Sequence, residues 1–244
     1  EDYMVLDKPA GISVHGDGKS NTQTISDYLL KNFKYLKGVG ENLETDYGLV
    51  PKPGLVHRLD KDTSGCLLIA KNNVAYEFFK HAWAQKKVKK EYVALVWGHL
   101  KQNTGIINTP IARSKTDFRK QEIAILRKNS QDVLHRGLER EALTRYKILK
   151  KMEIFGEKLT LVNFYIETGR THQIRIHAKS IGHPVVGDHL YGPRGKRHQT
   201  FEKKFFRTLP VRQLLHAKSL SFPFPGTSEL TKVEAPLPED FRGV

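Results

Sequence analysis

Residues 56–65 read VHRLDKDTSG, and the chain on both sides of them is apolar. The segment places charged and titratable side chains between two runs, 55–59 and 66–70, that have the composition of buried strands. Its second half, 62–65, has the residues of a turn, because Asp and Ser side chains bond to nearby amides and Gly adopts positive φ. Asp60 has no such local role, and a carboxylate at a strand end must be paired or used. We therefore predict that Asp60 belongs to a functional site.

The charge balance of the chain indicates the class of its partner. The 244 residues include 41 Lys and Arg against 26 Asp and Glu, which gives a net charge of +15 and a sequence pI of about 9.8. Such a surplus favours a polyanion as partner, most often nucleic acid, although a basic but inert surface has the same composition. The single cysteine, Cys66, fits a reducing, cytoplasmic setting and a core position. No apolar stretch approaches the ~20 residues of a membrane helix, so we expect no membrane partner.

Helices and strands alternate irregularly along the chain. Helices are predicted over 22–36, from Asn72 or Asn73 to about Gln85, and over Thr171–Ile181. The predicted strands are 3–6, 55–59, 66–70, 89–98, 105–111, 120–126, 142–152, 159–168 and 214–222, with a hairpin between 142–152 and 159–168. Residues 37–54 read as a loop and 193–212 as a charged stretch. Elements mixed in this way predict an α+β fold, here as a single domain over residues 1–244.

A second polar segment, TGRTHQIRIH at residues 168–177, combines a helix start with cations. Thr171 is the expected N-cap, and amides at a helix start favour anions. Arg175 lies beside the apolar stripe of this helix, where it can hold a carboxylate ionised through a bidentate bond. An arginine on an exposed helix surface is the alternative interpretation.

A third segment, KEYVALVWG at residues 90–98, contains Tyr92 close to a run of lysines. An aromatic ring beside cations suits a base that is flipped out of a nucleic acid, since the ring stacks and the cations hold phosphates. A tyrosine in a strand core has the same spacing, and the pattern leaves both interpretations open. Lys89 and Lys90 are the predicted phosphate contacts here, and Arg113, Lys115, Arg119 and Lys120, with Lys203, Lys204 and Arg207, are further basic candidates.

Metal and sugar chemistry are less favoured by the sequence. His172 and His177 are five residues apart, about 140° around a helix, which is the wrong spacing for one ion shared with Asp188. Asp60 and Asp62, two residues apart, could share a face as a glycosidase pair, but the basic balance of the chain argues against a neutral sugar.

Five motifs together resemble those of one enzyme family. HRLDKDTSG, the KEY strand, GRTHQIRIH, GHPVVGDHLYG and LLHAKSLSF occur in the order found in RluA-type RNA pseudouridine synthases. The resemblance extends from about Tyr3 to Pro236, and KPAGISVHG at residues 8–16 favours the RluC branch, which acts on large-subunit (23S) ribosomal RNA. It implies a pseudouridine synthase fold with a mixed, mostly antiparallel sheet, flanking helices and a central RNA cleft. It also implies isomerisation of uridine without a cofactor.

The resemblance also implies roles for individual residues. Asp60 is the catalytic aspartate, Tyr92 stacks on the uracil, and Arg175 pairs with the aspartate. Arg58 occupies the space of the flipped nucleotide, and Leu215 lines an apolar pocket. Arg170, His172 and Gln173, in the second segment, are expected RNA contacts.

Other functions and contexts stay open from the sequence. The alternatives are action on transfer RNA, a non-catalytic RNA-binding or ribosome-assembly role and, more distantly, a base-excising glycosidase. Many relatives of the ribosomal branch carry an S4 RNA-binding domain upstream, a domain that these 244 residues do not include. We expect a monomer.

Overall fold

The structure is a computed structural model, and it describes residues 2–124, 135–224, 229–242 and 244. The chain divides into two compact units, which we call the first unit (Glu1–Lys90 and Ala217–Leu237) and the second unit (Glu91–His216 and Pro238–Val244). The strands are β1 Tyr3–Lys8, β2 Leu43–Thr45, β3 Gly48–Val50, β4 Ser64–Ala70, β5 Lys89–Trp97, β6 Thr104–Asn108, β7 Ile111–Ser114, β8 Gln121–Ile123, β9 His135–Arg140, β10 Leu143–Ile154, β11 Glu157–Ile166, β12 Leu215–Pro223 and β13 Leu230–Glu234. The α-helices are α1 Ile25–Asn32, α2 Asn73–Ala84, α3 Gln173–Ser180 and α4 Lys196–Phe206, and short 3-10 turns cover Lys34–Leu36 and Glu239–Phe241.

The first unit is organised around β4, in which every residue is buried. β1 pairs with β4 antiparallel, from Tyr3 opposite Ala70 to Lys8 opposite Gly65, and β12 pairs antiparallel with β13. Three aromatic rings from β1, α2 and β12 meet edge to face, with centroids 5.2–5.9 Å apart. Burial on both faces explains the continuous apolar run after the opening motif. Cys66 is buried in β4, which confirms it as a core residue, and burial raises the pKa of its thiol to about 11.

The second unit contains an antiparallel sheet in the order β5-β11-β10-β6 and a separate three-stranded sheet in the order β8-β7-β9. Its main core packs Trp97 of β5 against Phe201 of α4, with ring centroids 4.8 Å apart, together with Leu159, Val186 and Leu214. A smaller core joins α3 to the start of β7 through Ile176 and Ile111. The three-stranded sheet is therefore fastened to the helix that carries Arg175.

The α+β fold and the mostly antiparallel sheet are confirmed, as are α2 with its Asn72 cap, the hairpin β10–β11 and the strand β12. The structure has two compact units, and the single domain predicted over residues 1–244 stays a prediction. The predicted strand 105–111 is divided at Pro110, which has no N–H for a ladder. The predicted strand 120–126 ends at Ile123, and its positions 125–126 lie outside the described residues. A hairpin, β2–β3, occupies part of the loop predicted at 37–54, and α4 occupies the charged stretch 193–212.

Two predictions about the polar segments are wrong. Residues 55–59 do not form a strand; Leu55 makes one isolated bridge to Ile69. The reason is that the His57 imidazole, a side chain, accepts the Leu68 N–H that a neighbouring strand could have taken. Thr171 is not the N-cap of α3, because the helix begins at Gln173 after His172, whose φ is 57°.

Candidate active site

The carboxylate of Asp60 lies in a loop of the first unit, four residues before β4 begins, and the side chain is half-buried. The turn after it is closed by the Thr63 amide, which donates to the Asp60 carbonyl (3.1 Å). The next carbonyl, that of Lys61, accepts from the Gly11 amide (3.0 Å) and from the Lys8 ammonium (2.9 Å). The backbone from Asp60 to Thr63 is thus held by hydrogen bonds, which brace the loop that carries the carboxylate.

Lys8 is the side chain that fixes this loop most directly. It is fully buried, and its ammonium donates to the carbonyls of Pro9 (2.7 Å), Ile12 (3.0 Å) and Lys61 (2.9 Å). Three carbonyl acceptors match the three N–H groups of an ammonium, which is how a buried cation is stabilised. Sequence reasoning missed Lys8, although its place in the motif KPAGISVHG was a signal.

Gly65 ends the motif where β4 starts. Its φ is +109°, and a Cβ atom there would lie 2.2 Å from the carbonyl oxygen of Ala217 on β12. Only glycine allows this approach of two backbones. The turn chemistry predicted for residues 62–65 therefore has a packing reason as well.

His57, the second residue of the motif, is held by two contacts within the first unit. His57 stacks on Trp83 (4.6 Å between ring centroids) and accepts the Leu68 N–H at Nε2 (2.8 Å). Burial, reinforced by the Lys90 charge, lowers the pKa of His57 to about 3, so the ring stays neutral and remains an acceptor.

Arg58 is exposed, and one of its N–H groups donates to Nε2 of His15 (3.3 Å), whose Nδ1 donates to the Gly16 carbonyl (2.8 Å). Burial and the Arg58 and Lys52 charges lower the pKa of His15, although the Gly16 carbonyl opposes this. A neutral His15 can accept from Arg58, so it orients the guanidinium without repelling it.

In the second unit, Tyr92 lies on β5 opposite Phe164 of β11, with 8% of its surface exposed. Arg175, on α3, is buried and forms a bidentate ion pair with Asp188 through Nε (2.7 Å) and a terminal nitrogen (2.9 Å). The Arg175 guanidinium also lies over the ring of Tyr191, 5.0 Å from its centroid. Arg175 therefore has Asp188 as a carboxylate partner, which the sequence analysis did not predict, and its pairing with Asp60 stays a prediction.

Asp188 is itself supported by backbone donors. Its Oδ1 accepts from the amides of Leu190 (2.9 Å) and Tyr191 (3.0 Å). Burial opposes ionisation of Asp188, but the hydrogen bonds and charge of Arg175, with the two amides, hold its pKa below the ordinary value. Asp188 thus keeps both its own charge and the direction of the Arg175 side chain.

Gln173 anchors the segment that leads into α3. The side chain is 3% exposed; its oxygen accepts from the Thr168 hydroxyl (2.8 Å) and the Arg170 amide (3.0 Å). Its nitrogen donates to the Leu143 carbonyl and the Thr144 hydroxyl (both 3.0 Å). These four bonds fill the capacity of the amide inside the protein. The structure gives the Gln173 side chain a positioning role, and its RNA contact stays a prediction.

The two histidines of this helix are also held within the protein. His177 is buried between the Thr144 hydroxyl, at Nδ1 (2.8 Å), and the Thr109 carbonyl, at Nε2 (3.0 Å), and burial lowers its pKa. His172 is half-buried, and its Nδ1 lies 2.8 Å from the Tyr191 hydroxyl. Within the part of the chain that the structure describes, no group of three His, Cys, Asp or Glu residues could hold a metal ion.

The other predicted RNA contacts differ in accessibility. Lys89 is exposed and Lys90 is buried, and Leu215, which was predicted to line an apolar pocket, is buried as well. Arg113 and Arg170 line one pocket of the second unit, and Lys115, two residues after Arg113, is exposed. Arg119 is exposed but paired with Asp117 through two 3.0 Å bonds, while Lys203, Lys204 and Arg207 are exposed at the end of α4. Among the described residues, no helix is long and apolar enough to cross a membrane.

Comparison with known proteins connects this arrangement to one family. The family model described as RNA pseudouridylate synthase matches residues 2–180, a range that includes Asp60, Tyr92 and Arg175. A Bacillus subtilis (strain 168) protein named "Uncharacterized RNA pseudouridine synthase YlyB" is 37% identical over 98% of this chain and 68% of its own length. "Ribosomal large subunit pseudouridine synthase D" from Haemophilus ducreyi is 32% identical over 99% of this chain and 66% of its own length. The chain therefore spans about two thirds of the length of these relatives.

A solved structure agrees with these matches. "Human RNA Pseudouridylate Synthase Domain Containing 1" superposes with a TM-score of 0.70 and 27% identity, over 97% of this chain and 80% of that one. The motif KPAGISVHG favours the RluC branch, while the relative named for a ribosomal role carries the designation D, and the branch stays a prediction. The motifs, the fold and these matches agree, and the chain belongs to the RNA pseudouridylate synthase family of enzymes.

Proposed function

We propose that this protein isomerises uridine to pseudouridine in large-subunit ribosomal RNA, with Asp60 as the catalytic carboxylate. The observation that carries the proposal is a half-buried carboxylate on a braced loop, within the range of the family match. The names of relatives such as the large-subunit synthase from Nitrosomonas europaea, 35% identical over 99% of this chain, support ribosomal RNA as the target class.

The reaction exchanges one bond of the nucleoside for another. The N1–C1′ bond breaks, the uracil turns while it is held, C5 bonds to C1′, and the proton on C5 is lost as N1 gains one. The uridine must leave the helix for its atoms to be reached. Asp60 acts as nucleophile or base of this exchange, and three routes are consistent with that role: attack on the sugar, attack on the ring, or removal of a sugar proton.

The other proposed groups prepare the site. Tyr92 stacks on the uracil, and Arg175, whose direction Asp188 sets, supplies positive charge for the reacting carboxylate. Arg58, oriented by His15, takes the place of the flipped nucleotide in the RNA. Leu215 contributes an apolar wall, and a dry pocket prevents water from capturing the sugar.

The test compares two carboxylates of the same turn. Asp60→Asn abolishes tritium release from RNA that carries 5-tritiated uridine, while binding of the RNA is retained. Asp62→Asn, two residues away, is the matched control and keeps turnover. Normal turnover by Asp60→Asn would refute the role of Asp60.

The target class has its own measurement. Pseudouridine is mapped in total RNA of cells with and without the gene. We expect a single region of large-subunit ribosomal RNA to lose the modification. Loss at a transfer RNA site instead would overturn the ribosomal target and leave the isomerase activity standing.

A further inference from the structure

A pocket of about 470 Å³ in the second unit lies between the three-stranded sheet and the segment 169–171. Its lining includes Arg113 of β7, Arg140 of β9 and Arg170, together with Phe118 and Leu138. None of these belongs to the proposed catalytic set. We infer that this pocket binds an unpaired nucleotide of the substrate RNA, separate from the uridine that reacts, with the base on Phe118 and a phosphate at the arginines.

The composition of the lining matches both parts of a nucleotide. Three guanidinium groups bind phosphate with bidentate geometry, and none of the described residues that line the pocket is acidic. Phe118 is 80% exposed and Leu138 is 90% exposed. Two large apolar side chains left this open beside cations are typical of a surface that stacks bases.

Phe118 is presented by a braced turn. The Asp117 carboxylate accepts from the Arg119 amide and guanidinium (3.0 Å each), and the Asp117 carbonyl accepts from the Lys120 amide (2.9 Å). The Ser114 amide then donates to the Lys120 carbonyl (3.0 Å), which closes the turn on β7. A turn that is ordered before binding loses less conformational entropy when a base stacks on it.

The opposite wall is fixed as well. The Arg170 side chain donates through Nε to the Glu141 carbonyl (2.9 Å), and its amide donates to Gln173. The Tyr191 hydroxyl accepts from the Gln121 amide (2.9 Å) and contacts His172 Nδ1 (2.8 Å), so it joins β8 to this segment. The two walls therefore form a preorganised pocket.

RNA is the occupant that the charges favour. The net charge of +15 attracts a polyanion, and the inference rests on the proposed function, which supplies RNA as the substrate. A volume of about 470 Å³ lies in the range of small-molecule sites, roughly 300–1,000 Å³, which suits one nucleotide.

The test uses the full chain and a 12-nucleotide single-stranded RNA of uridines with one 4-thiouridine and a fluorescent end. Phe118→Leu keeps an apolar side chain but removes the ring, so we expect binding to weaken about 5- to 100-fold and the photo-crosslink at residues 115–121 to vanish. Phe118→Trp keeps a ring and binds within about twofold of the wild type. Phe155→Leu, at an exposed phenylalanine outside the pocket, is the matched control and should also bind within about twofold of the wild type.

The arginines are tested by salt. Arg140→Gln lowers the slope of log Kd against log salt by about 0.7, the value for one phosphate of a single strand. A slope equal to that of the wild type would overturn the phosphate contact.

Other outcomes decide the rest of the inference. Unchanged affinity of Phe118→Leu, crosslinks only outside residues 115–121, or equal weakening by Phe118→Trp would each overturn the stacking role. Tritium release is measured on the same proteins: turnover without the Phe118 crosslink refutes only the pocket. A crosslink at Phe118 in a wild type without turnover refutes only the proposed isomerase.

Discussion

Replacement of Asp188 by Asn tests whether the buried ion pair with Arg175 supports the fold of the second unit. The carboxylate is fully buried and accepts four hydrogen bonds, two from Arg175 and two from backbone amides. Asn can keep the amide contacts through its oxygen, but its NH₂ group then opposes the Nε–H of Arg175. The buried guanidinium loses its counter-charge, and breaking a pair of this kind costs about 3–5 kcal/mol.

The matched control is the exposed pair of Arg145 and Glu167. Its Nε–O distance is 3.0 Å, and its side chains are 50% and 46% exposed, against 5% and 0% for Arg175 and Asp188. Because water screens the exposed pair, Glu167→Gln should cost about 0–1 kcal/mol. The free energies of unfolding are measured with urea at pH 7, with the dependence on denaturant checked for equal slopes. Equal losses in the two variants would refute the argument from burial.

The pH dependence provides a second check on Asp188. Its pKa in the folded protein is depressed, so the stability it supplies is present above its unfolded pKa of about 3.9 and is lost as the pH falls through the folded value. The difference between the wild type and Asp188→Asn should therefore be constant near neutral pH and shrink below about pH 4. The double variant Arg175→Met, Asp188→Leu should recover much of the stability but none of the turnover, because it restores packing without the guanidinium.

Three further predictions concern the loop that carries Asp60. Gly65→Ala should destabilise the fold by more than about 3 kcal/mol or prevent folding, because the new Cβ would lie 2.2 Å from a carbonyl oxygen. Gly156→Ala, at a positive φ in open space, is the control and should cost about 1 kcal/mol. Thermal unfolding of the two variants measures the difference. Because the pKa of His57 is lowered to about 3 in the folded protein, the stability that this residue supplies is complete above pH 6.5 and is lost as the pH falls toward 3. In His57→Gln, the free energy of unfolding should therefore fall less steeply with decreasing pH, by up to about 1.4 kcal/mol per pH unit. Equal slopes of unfolding free energy against pH in the two proteins, measured with urea, would contradict this. His15→Phe, which removes the acceptor for Arg58, should lower kcat/KM roughly tenfold with little change in the melting temperature, and a wild-type value in the tritium assay would contradict the orienting role.

The elements that the sequence predicted are those with strong local signals. The helix after Asn72 has both a cap and an apolar stripe, and the hairpin β10–β11 alternates along both strands. Helix α4 was hidden by its charges, because its buried face consists mainly of Phe201 and Phe206 within a basic segment. Residues 55–59 have strand composition, but a side chain, His57, takes the place of the backbone acceptor, and composition does not encode that exchange.

For the site, the motifs predicted the residues proposed to react but not the side chains that support them. Arg175 could be recognised as a cation for a carboxylate, yet its bond to Asp188 depends on how the chain returns thirteen residues later. Lys8 reads as a surface lysine until the fold brings three carbonyls to its ammonium. Such partners are set by tertiary structure, and a single sequence without the fold cannot supply them.

Burial and hydrogen-bond capacity together separate the polar residues that hold the enzyme in shape from those left for RNA. The hydrogen-bonding groups of the Gln173 and Lys8 side chains are used by backbone and hydroxyl groups of the protein. RNA could bind either side chain only if several of these bonds broke at once. Arg140 and Phe118 are exposed side chains of an open pocket, so contact with RNA there costs mainly their own side-chain freedom. Substitutions in the first group should therefore change stability before affinity, and those in the second group affinity before stability. A Phe118 variant that unfolds more easily than it loses RNA would contradict this division.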